Sequence, residues 1–293
     1  MKKETIVAKN KTHLSQLIKE EIKRNGDACD LNHIDVSIIA DMSRLFYKSD
    51  FNGDISQWRV SGVTNMGVMF SGAQFNNDIS EWDVSSVVDM KYMFSESKFN
   101  QNISNWNTSK IGSMQGMFDN SIFNQDISRW NVSSVTNMEN MFSKSKFNQD
   151  ISNWNVSSVE SIEGMFYYAV FNQDISNWDV SNVSNMKHMF FKSMFNQDIS
   201  KWDVFNAIDM KGMFFESAFN QNLDNWTPKK LENKDTIFEG SQLEKCGNLP
   251  YWANLSIEFL EQAIDAYQLQ KHLNKNLACV PTKESTIKTA IKI

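Results

Sequence analysis

FNQDISNWDVSNVSNMKHMF, residues 171–190, recurs along this chain with no insertion or deletion between copies. Its leading Phe returns every 24 residues, at Phe51, Phe75, Phe99, Phe123, Phe147, Phe171, Phe195 and Phe219, each followed by Asn. Four residues on stand Ile55, Ile79, Ile103, Ile127, Ile151, Ile175, Ile199 and Leu223. Three further on come Trp58, Trp82, Trp106, Trp130, Trp154, Trp178, Trp202 and Trp226. Self-similarity at a fixed short period marks a stacked repeat, because one such unit cannot bury its own apolar face and its neighbours must cover it.

The second half of the unit has its own columns. Met66, Met90, Met114, Met138, Ile162, Met186 and Met210 form one, and Met69, Met93, Met117, Met141, Met165, Met189 and Met213 the next, each of the latter followed by Phe. Two periods coexist. The run Ile127, Trp130, Val132, Val135 suits a very short strand with alternate residues turned inward, whereas Met138, Met141, Phe142 and Ser145 lie at the i, i+3, i+4, i+7 spacing of a short amphipathic helix. A serine upstream, as at Ser133 or Ser134, would cap that helix. The prediction is an α/β fold: a leucine-rich-repeat-like right-handed solenoid of about nine 24-residue coils, each a short parallel strand plus a short helix, with helical caps. Residues 27–242 make the solenoid. Residues 1–26 supply an N-terminal cap with Leu14, Leu17, Ile18 and Ile22 on one stripe and a stop at Gly26, and residues 243–293 supply a C-terminal cap with Ile257, Leu260, Ile264 and Tyr267, then a polar tail from Thr282.

The 171–190 string, with the opening DLNHIDVS at residues 30–37, resembles the short-repeat class of the BspA-like leucine-rich-repeat family over about 210 residues. That resemblance implies a solenoid and a role in adhesion or protein binding, since many such proteins are bacterial surface molecules. Intracellular relatives could serve as immunity partners that neutralise a toxin, or as effectors exported by another route.

Charge and composition narrow the partner. The chain holds 29 basic and 35 acidic residues, a net charge of −6, which argues against phosphate-backbone binding and for a basic protein partner. No apolar run of signal-peptide or membrane-span length occurs, so the expected compartment is the cytoplasm. Cys29, Cys246 and Cys279 match neither a disulfide framework nor a zinc site and are expected to be reduced and buried. No metal or cofactor is expected, since His13, His33, His188 and His272 share no ligand spacing, and no nucleophile motif or phosphate-cradling glycine loop occurs. The chain is therefore expected not to be an enzyme.

Repeated polar columns have two readings each. Asp54, Asp78, Asp126, Asp150, Asp174 and Asp198, replaced by Asn102 and Asn222, could bind calcium or, preferably, accept backbone N–H bonds in Asx turns. The Asn52-to-Asn220 column reads as an internal ladder, and the tryptophan and methionine columns as core. Function is sought where columns vary. Residues flanking each Trp, among them Arg59, Glu81, Asp83, Arg129, Asn131, Asp179, Lys201 and Asp203, should line one outward, mildly acidic ribbon that is either solvated or a binding face. Large groups also invade polar columns. After each Met-Phe pair stand Ser71, Ser95, Asp119 and Ser143, then Tyr167, Phe191 and Phe215, with Tyr168 and Met194 alongside; Phe205 replaces a serine of its own column. These residues would form either a partner-binding patch or a seat for the C-terminal cap.

Overall fold

Coil follows coil at the 24-residue register in the computed structural model, which describes residues 4–278. Single-residue parallel bridges run from Asp41 through Asn65, Asp89, Ser113, Asn137, Ser161, Asn185 and Asp209 to Asn233. Like side chains stack on like inside. Trp58 and Trp82 rings lie 6.4 Å apart and 5° from parallel, and Phe118 and Phe142 lie 5.8 Å apart at 4°. Each indole of the column is buried, and its Nε1–H donates across coils to a carbonyl, that of Leu31 for Trp58 and of an isoleucine for the rest, as from Trp130 to Ile103 at 3.0 Å. A second ladder is polar. Asn124 Oδ1 accepts the Asn148 N–H at 2.8 Å, and the same bond repeats from Asn52 to Asn220.

The expected strand and helix inside each coil are not formed. The described elements are β1 (Ile6–Val7), α1 (Lys11–Asn25), β2 (Ile34–Asp35), α2 (Gln242–Lys245) and α3 (Ile257–Ala278), and none lies between residues 36 and 241. Where the helix was expected, the backbone divides its donors. The N–H groups of Met66, Val68, Phe70 and Gly72 bond to carbonyls of Asp89, Lys91, Met93 and Ser95 in the next coil at 2.7–2.9 Å. Those of Met69, Ser71 and Ala73 instead close turns on Met66, Val68 and Phe70. A helix would consume all these donors internally and leave nothing to tie coil to coil. Left-handed residues four apart enforce the alternative: Val68 (φ 60°) and Gly72 (φ 68°), then Tyr92 and Glu96, and so on to Thr236 and Gly240. Each non-glycine residue held there costs roughly 1–2 kcal/mol, which the inter-coil bonds and buried rings must offset.

Side-chain turns mark the remaining corners. In the coil that opens at Phe123, Asp126 Oδ1 accepts the Ser128 N–H at 2.8 Å, Asn131 Oδ1 that of Ser133 at 3.1 Å, and Asn137 Oδ1 that of Glu139 at 2.8 Å. Ser145 Oγ takes the Phe147 N–H at 3.3 Å. Ser133 thus sits in an Asx turn rather than at a helix start.

Two compact units are present, Met1–Pro250 and Tyr251–Ile293. In the first, α1 starts at Asn10, whose side chain accepts the His13 N–H, and stops at Gly26, whose φ of 80° suits a residue without Cβ. Leu14 and Ile18 are buried, while Leu17 and Ile22 are only half-buried. β1 pairs in parallel with β2, and Lys11 Nζ reaches Asp41 at 3.0 Å and Ser43 at 2.6 Å, so this end is tied to the first coil. In the second unit Leu260 and Ile264 of α3 are buried and Tyr267 stacks on Tyr251 at 3.8 Å; Ile257, expected on the same face, is exposed. Cys29 is buried as expected, but Cys246 is exposed, at the end of the short helix α2. Cys279 and the tail from Thr282 lie outside the described residues.

Candidate functional site

The candidate site lies along the run of turns that replaces the helix, where Ser71, Ser95 and Ser143 are buried but Asp119, Tyr167, Phe191 and Phe215, in the same column, are half-buried. One left-handed column alternates bulk with glycine: Tyr92, Gly116, Asn140, Gly164, His188, Gly212. A Cβ at Gly116 would strike the Tyr92 ring, one at Gly164 the Asn140 amide, and one at Gly212 would come within 2.7 Å of His188. Each large side chain therefore lies across the glycine of the following coil. The glycines allow both the left-handed turn and this close approach.

Between these residues opens a cavity of about 370 Å³, lined by Tyr92, Asp119, Asn140, Ser143, Lys144, Glu163, Gly164, Tyr167, His188 and Phe191. That lies within the range of small-ligand and side-chain pockets. Its floor is unusual electrostatically. Burial raises the Asp119 carboxyl above its ordinary pKa, against a Ser143 hydrogen bond and the Lys144 charge. Burial also raises the Tyr92 phenol, helped by the charges of Asp119 and Glu139. His188 is pushed down by burial and by Lys187, so its imidazole is neutral near pH 7. Burial would raise Glu163 too, but bonds from Asn185 at 3.0 Å and Lys187 at 3.0 Å hold it below the usual carboxylate range.

The aromatic residues singled out in the sequence meet here in part. Tyr167 and Phe191 stack at 5.0 Å and Phe191 and Phe215 at 4.7 Å, forming one row that borders the cavity, with Tyr168 tilted against Phe191 at 5.8 Å. Only Tyr168 is strongly exposed, and cations already lie on the row. Lys192 Nζ stands 5.6–5.9 Å from the Tyr168, Phe191 and Phe215 rings and pairs with Glu216 at 2.9 Å, and Lys144 Nζ stands 5.8 Å from Tyr167. Met194 is 60% exposed in a separate column, and Phe205 occupies another corner under Lys230 Nζ at 5.3 Å.

The ribbon beside the tryptophans is exposed throughout, including Arg59, Glu81, Asp83, Arg129, Asp179, Lys201 and Asp203. The reason is a tight turn before each Trp rather than strand alternation, as in the Trp130 N–H to Ile127 bond. Asp83, Asp179 and Asp203 each spend one carboxylate oxygen on a backbone N–H two residues on, and Arg59 leans on Asp35 at 3.4 Å. Arg59, Glu81 and Asp83 also line a shallow depression of about 500 Å³. In the calcium-or-turn column every member from Asp54 to Asn222 accepts the N–H two residues ahead.

A family model described as "Mycoplasma protein of unknown function, DUF285" matches residues 12–122, 96–194 and 168–252. The chain belongs to this family. Its overlapping matches run across the whole coil stack, so the DUF285 family is one of tandem repeats. No curated protein and no solved structure matches the chain. Among the described residues of this DUF285 member, no helix is long and apolar enough to cross a membrane.

Sequence reasoning missed Tyr92, Lys144 and Glu163, weighed His188 only as a metal ligand, and named Asp119 only as one of its column. The signal was present in the glycines at 116, 164 and 212, which recur at twice the coil period. Reading them required knowing that their column faces outward.

Proposed function

We propose that this DUF285 chain is a non-enzymatic scaffold, a solenoid akin to BspA-like leucine-rich repeats, that binds a protein partner in the cytoplasm. One observation carries this reading. The column Ser71, Ser95, Asp119, Ser143, Tyr167, Phe191, Phe215 changes from small and polar to large and aromatic on an unchanged backbone, beside a cavity. Core packing does not demand that change, because serines fill the same places in earlier coils. Aromatic clusters beside a pocket are the usual anchors of protein interfaces. A net charge of −6 favours a basic partner, and this also supports a second reading, an immunity protein that neutralises a basic toxin.

The test compares the wild-type chain with a variant in which Tyr167, Phe191 and Phe215 are all returned to Ser. Both are immobilised and exposed to lysate of the source cells. A protein retained saturably by the first and at least tenfold less by the second is the expected result. Equal retention by both, or no saturable retention at all, would overturn the reading.

A further inference from the structure

We infer that the 370 Å³ cavity receives a guanidinium group, the arginine side chain of a protein partner, held against Asp119 and the faces of Tyr92 and Tyr167. This rests on the protein-binding reading and specifies the chemistry of its central contact. Charge is the first argument. The carboxylates of Asp119, Glu163, Glu139 and Glu96 act on or near the cavity, against the ammonium groups of Lys144 and Lys187 and a neutral His188. Lys187 is already committed to Glu163 at 3.0 Å. Asp119 is left with Ser143 and the long, exposed Lys144, a poorly compensated carboxylate in a partly desolvated place.

Shape is the second. The stacked pair of Tyr167 and Phe191 lines the cavity together with Tyr92, and Lys144 stands over the Tyr167 ring and Lys192 over the Phe191 ring at cation–π distance. The wall therefore attracts cations, and Lys144 is the resident one. A planar guanidinium can replace it to advantage, stacking on a ring while donating two parallel N–H bonds to a carboxylate, which a point-like ammonium cannot do. Position is the third. Asp119 and Tyr167 both stand in the column that Ser71, Ser95 and Ser143 occupy elsewhere, so the residues that give the cavity its chemistry are the ones that depart from the repeat.

The experiment titrates full-length protein with an acetylated, amidated tetra-arginine peptide, its tetra-citrulline isostere and agmatine, by calorimetry at low salt. Wild type should bind the arginine peptide at least tenfold more tightly than the citrulline peptide or agmatine. Asp119→Asn and Tyr167→Ser should each weaken that binding about tenfold, with thermal melts confirming that both variants fold. Lys144→Gln should tighten it several-fold by removing the resident cation, an effect that damage to the fold does not produce. Equal binding of arginine and citrulline peptides, or indifference to Asp119→Asn, would overturn the guanidinium assignment, and agmatine binding as tightly as the peptide would overturn the choice of a protein side chain. Failure here with the triple-serine variant still losing its partner would leave the broader binding reading intact, whereas loss of both would remove it.

Discussion

The tryptophan column and the column from Ser71 to Phe215 run side by side through the same coils, yet one is invariant over eight repeats and the other holds four kinds of residue. Both lie on one backbone, so the difference is in what each position must do. An indole must fill the interior and reach a carbonyl in the preceding coil, and only Trp offers that volume with an N–H at its edge. The other position needs only its backbone, which any residue supplies: the N–H of Ser143 and of Phe191 closes a turn onto the residue three earlier, and their carbonyls accept from Asn120 and Tyr168 of the preceding coil. Constancy here reports packing, and variation reports freedom to be used for something else.

The largest effect should come from the invariant side. Trp130→Ala should lose about 3–5 kcal/mol in denaturant melts, from its cavity and from the lost indole bond to the Ile103 carbonyl. Its outward neighbour Asn131 holds only an exposed turn, and Asn131→Ala should lose about 0.5–1 kcal/mol. Equal losses for the two would erase the contrast between columns. An intermediate case is the asparagine ladder. Asn124→Ala deprives the half-buried Asn148 N–H of its acceptor and should lose about 1–2 kcal/mol in the same melts.

The smallest effect should carry the opposite sign. Burial raises Asp119 above its unfolded pKa, so its ionised form opposes folding at neutral pH. Asp119→Asn should then raise the melting temperature at pH 7. The gain should shrink as pH falls through the folded pKa and vanish below the unfolded carboxylate value of about 4. A variant less stable at pH 7 would show that Asp119 belongs with the structural columns.

Much of the scaffold could be read from residue order alone. Stacked Trp, Phe and Asn columns followed from an uninterrupted period, and the aspartates at the head of each coil were recognisable as turn formers from their replacement by Asn102 and Asn222. The helix was misjudged for a physical reason. Met66, Met69 and Phe70 satisfy helical spacing, but successive four-residue turns with Val68 and Gly72 left-handed also bring them to one side. Periodicity registers only which residues point inward. It carries no trace of whether an N–H is spent within the segment or on the next coil, and that choice decided the structure here. The cavity was less legible still, since Tyr92, Asp119, Glu163 and His188 come from four different coils and converge only through stacking.

The alternation of bulk and glycine along Tyr92, Gly116, Asn140, Gly164, His188 and Gly212 gives the molecule a hidden phase. The core would accept the loss or duplication of any single 24-residue module, because the same donors would rejoin the same acceptors. This outer column would not. Excising one module sets two bulky groups face to face or leaves two glycines adjoining, while excising a pair restores the fit. Between Tyr92 and Gly212, only a change by an even number of modules keeps that alternation, whereas ahead of it Arg44, Val68 and Tyr92 follow one another with no glycine between them.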